Sequence, residues 1–364
     1  MSRAFDTISR SKLLKILETE VKLDQDALRM VGALLRDTSL SVRIDGEKSE
    51  CFHTTIGTPQ GDCLSPVLFI VYLEAALRTL RAKVGPRPKE DTEANLPAEV
   101  VYADDTDLIS LSKAWLEKVL KEIPGEFANF YLIANAEKTE WVEYSPDNLE
   151  WRETRKLGSK LGESEDMHRR ANLAAGMYAS MDRLWRQHRL VNLKVRMQMF
   201  RNYVEPCFTY ACGTWGTTQS VRNWFEAQHR RLLRKAIGMQ YPKKISNKAL
   251  HEVTGVPPLR LTVTRERWRL FRQCLLLPRK ASAQQAMDMY VKPPGKANPG
   301  RPKSMLPVSL HQELKGIRPD LLRGARQLFT AKTLAELRRL ANLELEWEDL
   351  SLRAERQATD NLWG

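Results

Sequence analysis

Two adjacent aspartates, Asp104 and Asp105, follow a short apolar run and are the residues of this sequence best suited to chemistry. The run Val100-Val101-Tyr102-Ala103 predicts a strand that delivers both carboxylates to a tight turn. Phosphoryl transfer through two metal ions needs carboxylates placed in this way, because Mg²⁺ prefers hard oxygen ligands and the ions lie about 3.5 to 4 Å apart. Asp-Asp pairs also mark many solvated turns, so both interpretations stay open at this point.

A second segment of unusual composition lies upstream, at Gly57-Thr58-Pro59-Gln60-Gly61-Asp62. Two glycines and a proline fix the backbone path into a helix, for which Ser65 is the predicted cap and Pro66 fits the first turn. Such a loop can bring backbone amides and Gln60 close to a nucleotide or a template base. A plain loop-to-helix junction is the alternative. The joint occurrence of this loop and the Asp-Asp turn favours the nucleotide interpretation.

The elements that must position these residues mix helices with extended segments. We predict helical spacing over 6–35, a β-hairpin around Asp45-Gly46, a helix from Ser65, an exposed loop over 84–97, two strands within 99–111, a helix over 114–130 and a strand over 138–144. From residue 164 the pattern is helical throughout. The predicted organisation is an α+β unit over 1–150, a helical region over 151–290, a Pro/Gly/Lys linker over 291–307 and a helical tail over 308–364.

The formal net charge of +13 is divided unevenly along the chain. Residues 1–150 hold 18 lysines and arginines against 26 acidic residues, whereas residues 151–364 hold 40 against 19. An acidic front half suits a site that concentrates divalent cations, and a basic back half suits a partner that carries phosphates. A chain that is merely soluble and basic is the alternative.

Composition also excludes several classes of protein. The longest strongly apolar stretch, Leu64 to Leu77, is too short to cross a membrane and contains Glu74. The first residues lack the apolar core of a secretory signal. The five cysteines are scattered, without the spacing of a disulfide framework or a zinc knuckle. We therefore expect a soluble, intracellular protein with reduced thiols.

Taken together, the motifs make the chain resemble the reverse transcriptase of non-LTR (LINE-type) retrotransposons. The resemblance is carried by Ala4-Phe5-Asp6 with Thr7-Ile8, the run from Gly57 to Phe69, Tyr102-Ala103-Asp104-Asp105, Asn135-Ala136-Glu137-Lys138-Thr139, Lys156-Leu157-Gly158-Ser159, Tyr210-Ala211-Cys212-Gly213-Thr214-Trp215 and Ile245-Ser246-Asn247-Lys248-Ala249-Leu250. It covers roughly residues 3–280. It implies a polymerase palm, an antiparallel sheet packed with helices, over 1–150 and an all-α, thumb-like region after it.

The resemblance also implies roles for single residues. Asp104 and Asp105 would bind catalytic Mg²⁺ (or Mn²⁺), and Lys138 would stabilise charge or donate a proton at the leaving pyrophosphate. Phe5 would lie beneath the sugar of the incoming dNTP and exclude a 2′-hydroxyl. The other implied nucleotide and template contacts are Gln60, Gly61 and Tyr102. For Lys138, a plain surface lysine is the alternative.

The implied partners are an RNA template, a DNA primer or target, and dNTPs. The implied reaction is RNA-directed DNA synthesis, in which two-metal phosphoryl transfer adds dNTPs to a primer 3′ end. The implied location is the nucleus or a cytoplasmic ribonucleoprotein. An RNA-directed RNA polymerase is disfavoured by Phe5 and by Tyr102-Ala103 before the aspartates.

The helical region interleaves basic and aromatic residues. The basic candidates for phosphate contacts are Arg169, Arg170, Arg183, Arg186, Arg230, Arg231, Arg234 and Lys235. A solvated helical face is the alternative for these residues. The aromatic residues Trp185, Tyr203, Trp215, Trp224 and Trp268 are expected to pack between helices.

One departure from the family bears on activity. Its first catalytic aspartate would fall at the position just before Met1, and the fingers and the endonuclease would precede that position too. We therefore expect these 364 residues to hold an incomplete polymerase. The alternative is a catalytically inactive remnant that at most binds nucleic acid through its basic C-terminal half.

The 364-residue polypeptide alone is expected to extend a primer no more than its Asp104→Ala variant, because a site short of one carboxylate holds its metals poorly. The measurement is primer extension with Mg²⁺ or Mn²⁺. Robust synthesis by the unaltered polypeptide would contradict the expectation that it is incomplete.

Overall fold

The computed structural model describes residues 5–363 apart from positions 37, 60, 95, 146, 187–189, 217, 240–241, 280, 289–305 and 323–328. Gln60 and most of the predicted linker over 291–307 therefore lie outside the described residues. The chain divides into two compact units, Met1–Trp141 and Val142–Gly364. None of the helices within the described ranges is long and apolar enough to cross a membrane.

The first unit mixes helices with short antiparallel strand pairs. Its helices are α1 (Arg10–Thr19), α2 (Gln25–Leu35), α3 (Ser65–Val84), α4 (Lys89–Glu93) and α5 (Lys113–Ala128). Its strand pairs are β1 (Thr38–Leu40) with β4 (Phe52–Thr54), β2 (Arg43–Ile44) with β3 (Glu47–Lys48) and β5 (Glu99–Tyr102) with β6 (Asp105–Leu108). This mixture agrees with the predicted α+β class.

The core of the first unit forms around α3, whose apolar residues recur at spacings of three and four. Phe69, Tyr72 and Leu73 are almost fully buried, and each such side chain stabilises the fold by about 1.5–3 kcal/mol. The Tyr72 hydroxyl donates a hydrogen bond to the Phe130 carbonyl oxygen (2.8 Å). Burial raises the pKa of Tyr72 to about 12. This buried hydrogen bond ties α3 to the segment that follows α5.

Three sequence predictions for this unit are wrong. The predicted strand over 138–144 is a 3-10 turn, Ala136–Lys138, followed by irregular backbone. The predicted loop over 84–97 contains α4. Ser65 does not cap α3, because it is the first residue of the helix, whose N-cap position is Leu64, and no side chain forms a cap hydrogen bond there.

In the described residues of the second unit, helices predominate and one strand pair is present, β7 (Arg155–Lys156) with β8 (Ser159–Lys160). Its helices are α6 (Glu163–Ser180), α7 (Asp182–Arg186), α8 (Leu193–Met199), α9 (Glu205–Thr209), α10 (Gln219–Ala236), α11 (Asn247–Thr254), α12 (Leu259–Leu276), α13 (Ser282–Asp288), α14 (Leu306–Ile317), α15 (Ala331–Asn342) and α16 (Glu344–Trp363). A π-helical turn, Phe200–Val204, joins α8 to α9. The predicted helical character beyond residue 164 is confirmed for the residues that the structure describes.

Two hydrophobic clusters fill this unit. One joins α6–α11, and the other joins α12 with α14–α16. Trp185, Trp215 and Trp268 are buried as expected, whereas Trp224 is only partly buried and Tyr203 is 48% exposed. Buried tryptophans therefore stabilise the helices that carry the basic residues.

Candidate active site

The Asp104-Asp105 pair lies at the tip of the β5–β6 hairpin. Tyr102 pairs with Asp105 across the ladder, so Ala103 and Asp104 form a two-residue turn. Ala103 has a left-handed backbone with φ +51°. This conformation costs an L-residue about 1–2 kcal/mol, and residues held in it are concentrated at functional sites. Asp104 is half-buried and Asp105 is exposed, so the turn presents two consecutive carboxylates at the end of the ribbon.

The strand register places further groups beside this turn. Asp107 lies opposite Val100, two residues beyond the pair of Asp105 with Tyr102. Because side chains alternate between the faces of a strand, Asp105, Asp107 and Tyr102 share one face. Tyr102 is 66% exposed. The hairpin therefore offers carboxylates and an aromatic ring on one accessible surface.

A buried ion pair holds the base of the hairpin. Asp91 of α4 is fully buried, is paired with Arg87 (3.2 Å), and accepts hydrogen bonds from the Ser110 hydroxyl (2.6 Å) and the Leu111 amide (2.7 Å). Both donors follow β6 directly. Sequence reasoning placed this segment in an exposed loop and missed the pair, because nothing in a run of charged residues distinguishes the one carboxylate that is buried.

The structure brings Phe5 together with the Gly57 loop. The Thr58 amide donates to the Phe5 carbonyl oxygen (3.0 Å), and the Gly57 amide donates to that of Ile8 (2.8 Å). The Phe5 ring stacks on Phe69 with centroids 4.5 Å apart. Two segments that lie some fifty positions apart in the sequence thus form one surface, on which Phe5 is half-buried and fixed.

Arg10, which sequence reasoning missed, stabilises the same surface through hydrogen bonds. Its guanidinium donates to the carbonyl oxygens of Gly57 (2.8 Å), Leu35 (2.7 Å) and Thr54 (2.6 Å). It also donates to the Thr54 hydroxyl (2.9 Å) and the Ile56 carbonyl oxygen (3.2 Å). A planar group with five donors suits such a cluster of backbone acceptors. No sequence signal separates Arg10 from an exposed arginine at a helix start.

Lys138 and Gly61 are both accessible. Lys138 ends the 3-10 turn, where its amide donates to the Asn135 side-chain oxygen (3.1 Å). Its side chain is exposed. Gly61 has φ +93° and open space around its Cα, so a ligand can approach the backbone there.

The predicted basic contacts differ in how accessible they are. Arg183 and Arg231 are exposed, and Arg186 is exposed but paired with Asp182 (2.7 Å). Arg230 pairs with Glu226 (3.7 Å).

The remaining basic candidates are partly or fully buried. Arg170 is buried, pairs with Asp166 (3.4 Å) and lies over the Tyr210 ring. Arg169 donates to the Gly158 carbonyl oxygen (2.9 Å), Arg234 donates to the Asn247 side chain (2.6 Å), and Lys235 is half-buried. The exposed arginines are therefore the better candidates for phosphate contacts.

The chemistry of the hairpin tip suits a hard divalent cation. Proteins commonly hold Mg²⁺ through one or two carboxylates, with waters and substrate phosphates completing its shell. Asp104 and Asp105 supply oxygen ligands of this kind. Among the described residues, no group of three or more His, Cys, Asp or Glu side chains is arranged to hold a metal ion. The turn therefore supplies two adjacent carboxylates of the kind that hold Mg²⁺ in proteins.

Comparison with known families agrees with this geometry. Residues 1–161 match the family described as reverse transcriptase (RNA-dependent DNA polymerase). This part of the chain is therefore similar to reverse transcriptases, which generally use divalent metal ions.

Two curated relatives indicate which kind of reverse transcriptase this chain resembles. The chain is 27% identical over 138 residues to the retrovirus-related Pol polyprotein from type-1 retrotransposable element R2 of Popillia japonica. It is 28% identical over 148 residues to the corresponding polyprotein from type-2 retrotransposable element R2DM of Drosophila melanogaster. Each alignment covers 38% of this chain but only 19% and 13% of the respective relative. The resemblance to a non-LTR retrotransposon reverse transcriptase is thereby confirmed.

Proposed function

We propose that the first unit forms part of an RNA-directed DNA polymerase and adds deoxynucleotides to a primer 3′ end opposite an RNA template. The observation that carries the proposal is the β5–β6 turn, where Asp104 and Asp105 stand side by side within the stretch that matches reverse transcriptases. The first unit acts as the palm, and the helical residues 151–290 act as the thumb.

In this proposal Asp104 and Asp105 hold Mg²⁺ or Mn²⁺ at the hairpin tip. A bound cation neutralises phosphate charge and orients the reacting groups. The left-handed backbone at Ala103 sets the path of the turn that carries the two aspartates. Lys138 places an ammonium group that stabilises charge on the leaving pyrophosphate or donates a proton to it.

Nucleotide selection rests on the surface that Phe5 shares with the Gly57 loop. The Phe5 ring is backed by Phe69, so a 2′-hydroxyl that meets this ring cannot displace it easily. Arg10 stabilises this loop through four hydrogen bonds to residues 54–57, and a fifth connects it to the Leu35 carbonyl oxygen. Gln60, Gly61 and Tyr102 contact the nascent base pair and the template in this proposal.

A nucleic-acid-binding protein without polymerase activity is the second candidate. The basic excess after residue 150 favours it, together with the exposed side chains of Arg183 and Arg231. It differs from the first candidate in assigning no cation to the aspartates.

The experiment that separates the candidates is Mn²⁺ titration of the full chain with and without a dNTP, followed by electron paramagnetic resonance. A dNTP is expected to strengthen Mn²⁺ binding to the unaltered chain, and Asp104→Ala or Asp105→Ala is expected to weaken that binding at least about tenfold, or 1.4 kcal/mol. Asp45→Ala serves as the control, because Asp45 also lies in a hairpin turn, between Ile44 and Glu47. Equal Mn²⁺ binding by all four chains would refute the assignment of Asp104 and Asp105.

A further inference from the structure

The β5–β6 ribbon that carries Asp104 and Asp105 pairs with no third strand among the described residues. A two-stranded hairpin is only marginally stable on its own in water. Four residue pairs form its ladder, so its tip lies about 10 Å from its base, because a strand rises about 3.3 Å per residue. The position of the tip therefore depends on contacts that the ribbon makes with the rest of the first unit.

Arg87 connects the two strands of this ribbon at its base. Its Nη1 donates to the Leu96 carbonyl oxygen (2.8 Å), three residues before β5 begins. Its Nη2 donates to the Ile109 carbonyl oxygen (2.8 Å), directly after β6 ends, and forms a longer hydrogen bond with the Pro97 carbonyl oxygen (3.4 Å). One guanidinium thus binds the segment that enters the ribbon and the segment that leaves it.

Asp91 binds the same arginine and the same two segments. Its carboxylate lies 3.2 Å from Arg87 Nη2 and accepts hydrogen bonds from the Ser110 hydroxyl and the Leu111 amide. Its carbonyl oxygen accepts a hydrogen bond from the Leu96 amide (3.0 Å). Because the carboxylate is fully buried, removing either member of the Arg87–Asp91 pair would disturb the other.

A cation site at the tip would tolerate little movement of the ribbon. Metal–ligand distances in protein sites stay within about 0.2 Å of their usual values. A rotation of about 10° at the base would move a tip about 10 Å away by about 2 Å. The contacts at the base of the ribbon therefore affect whether two carboxylates at its tip can reach one cation.

We propose that Arg87 and Asp91 are positioning residues for the cation site. They set the direction of the ribbon, and through it the placement of Asp104 and Asp105, without touching the cation or the nucleotide. This inference rests on the proposed function, because it needs a cation at the hairpin tip.

The test is Mn²⁺ titration of the full chain with a dNTP, followed by electron paramagnetic resonance, at a temperature where circular dichroism shows each variant to be folded. Loss of an outer contact commonly weakens metal binding by about 10- to 100-fold. Asp91 lies farther from the tip, so Asp91→Asn is expected to weaken Mn²⁺ binding about fivefold, less than Asp104→Ala.

Glu126→Gln is the matched control. Glu126 is another buried carboxylate of the first unit, and it pairs with Lys83 (2.8 Å). This pair joins α5 to α3 and makes no contact with the ribbon through its ion pair. Glu126→Gln is therefore expected to retain the Mn²⁺ affinity of the unaltered chain. Equal weakening by Glu126→Gln and Asp91→Asn would overturn the proposal.

A double variant separates positioning from a general loss of structure. If Asp91 acts through the carboxylates at the tip, Asp91→Asn weakens Mn²⁺ binding less in the Asp104→Ala background than in the unaltered chain. The same factor in both backgrounds would contradict a positioning role. Should Asp91→Asn unfold, Arg87→Lys tests the same contacts, because an ammonium keeps the charge beside Asp91 but lacks the planar fork that reaches Leu96 and Ile109 together.

The outcomes distinguish this proposal from the proposed function. Weaker Mn²⁺ binding by Asp104→Ala, together with unchanged binding by Asp91→Asn and Arg87→Lys, would overturn the positioning role and leave the cation site in place. Unchanged binding by Asp104→Ala would overturn both proposals.

Discussion

Replacing Gly57 with alanine is expected to lower the free energy of unfolding of the first unit by about 1–3 kcal/mol more than the same change at Gly46. Gly57 has φ +75°, and a Cβ at this position would lie 2.9 Å from the Cα and the carbonyl oxygen of Asp6. Both of these are backbone atoms, so the clash can be relieved only by moving the chain. That movement would separate Phe5 from Thr58 and weaken the surface that they share.

Gly46 is the matched control because it isolates the clash from backbone strain. It also has positive φ, +92°, but no atom lies within 4 Å of its added Cβ. In both variants, alanine in the left-handed conformation lowers the free energy of unfolding by about 1–2 kcal/mol. Only Gly57→Ala is destabilised further, by the clash of its Cβ with Asp6. Urea denaturation of both variants measures the difference. Equal destabilisation would mean that Gly57 is required only for its φ angle and that the contact with Asp6 is unimportant.

The helix and the hairpin of the candidate site could be predicted from the spacing of apolar residues. The β5–β6 hairpin and α3 were predictable because their apolar residues recur at the spacing of the element that contains them, two for a strand and three to four for a helix. The Asp-Asp turn was predictable for the same reason, since an apolar strand that stops before two aspartates places them at the hairpin tip. Local pattern thus defined both the turn and the main helix of the first unit.

Two sequence predictions were wrong, one for the segment over 138–144 and one for the segment that contains α4. The segment over 138–144 has the composition of a strand, but Asn135 caps a 3-10 turn ahead of it and the structure pairs it with no other strand among the described residues. The short helix α4 forms where Asp91 is buried against Ser110 and Leu111. Distant contacts stabilise α4, whereas the segment over 138–144 begins in a locally capped turn and has no strand partner among the described residues.

The five hydrogen bonds of Arg10 illustrate the same limit within the candidate site. An arginine at the start of a helix has no sequence feature that predicts acceptors at Leu35, Thr54 and Gly57. The close approach of Gly57 to Asp6 was equally hidden, although the glycine itself marked an unusual backbone. Sequence motifs therefore identified the two segments of the nucleotide surface, and the structure alone explains how they are joined.

Lowering the pH from 7.5 to 5 is expected to destabilise the second unit by about 2 kcal/mol through His229 alone. His229 is fully buried, with Phe200 and Phe208 against its ring at centroid distances of 5.6 and 5.3 Å. Neither of its ring nitrogens has a hydrogen-bond partner among the described residues. Burial, with smaller contributions from His251 and Arg230, lowers the pKa of His229 to about 3 from 6.5.

The direction of the effect follows from which state takes up the proton. Between pH 6.5 and about 3 the unfolded chain protonates His229 and the folded chain does not, so acid favours unfolding throughout that window. The stabilisation is complete above pH 6.5 and declines as the pH falls. Burial also lowers the pKa of His251, which lies 6.5 Å away, so its contribution has the same sign.

His229→Leu is expected to remove this contribution and to raise the free energy of unfolding at neutral pH, because it replaces two unpartnered polar atoms with apolar ones, each worth about 1–3 kcal/mol when buried unsatisfied. Urea denaturation at a series of pH values measures both effects. His168→Gln is the control, since His168 is an exposed histidine of the same unit. If His229→Leu retained the full loss of stability between pH 7.5 and 5, the acid sensitivity would arise from other groups, and the buried imidazole would have a hydrogen-bond partner that satisfies it.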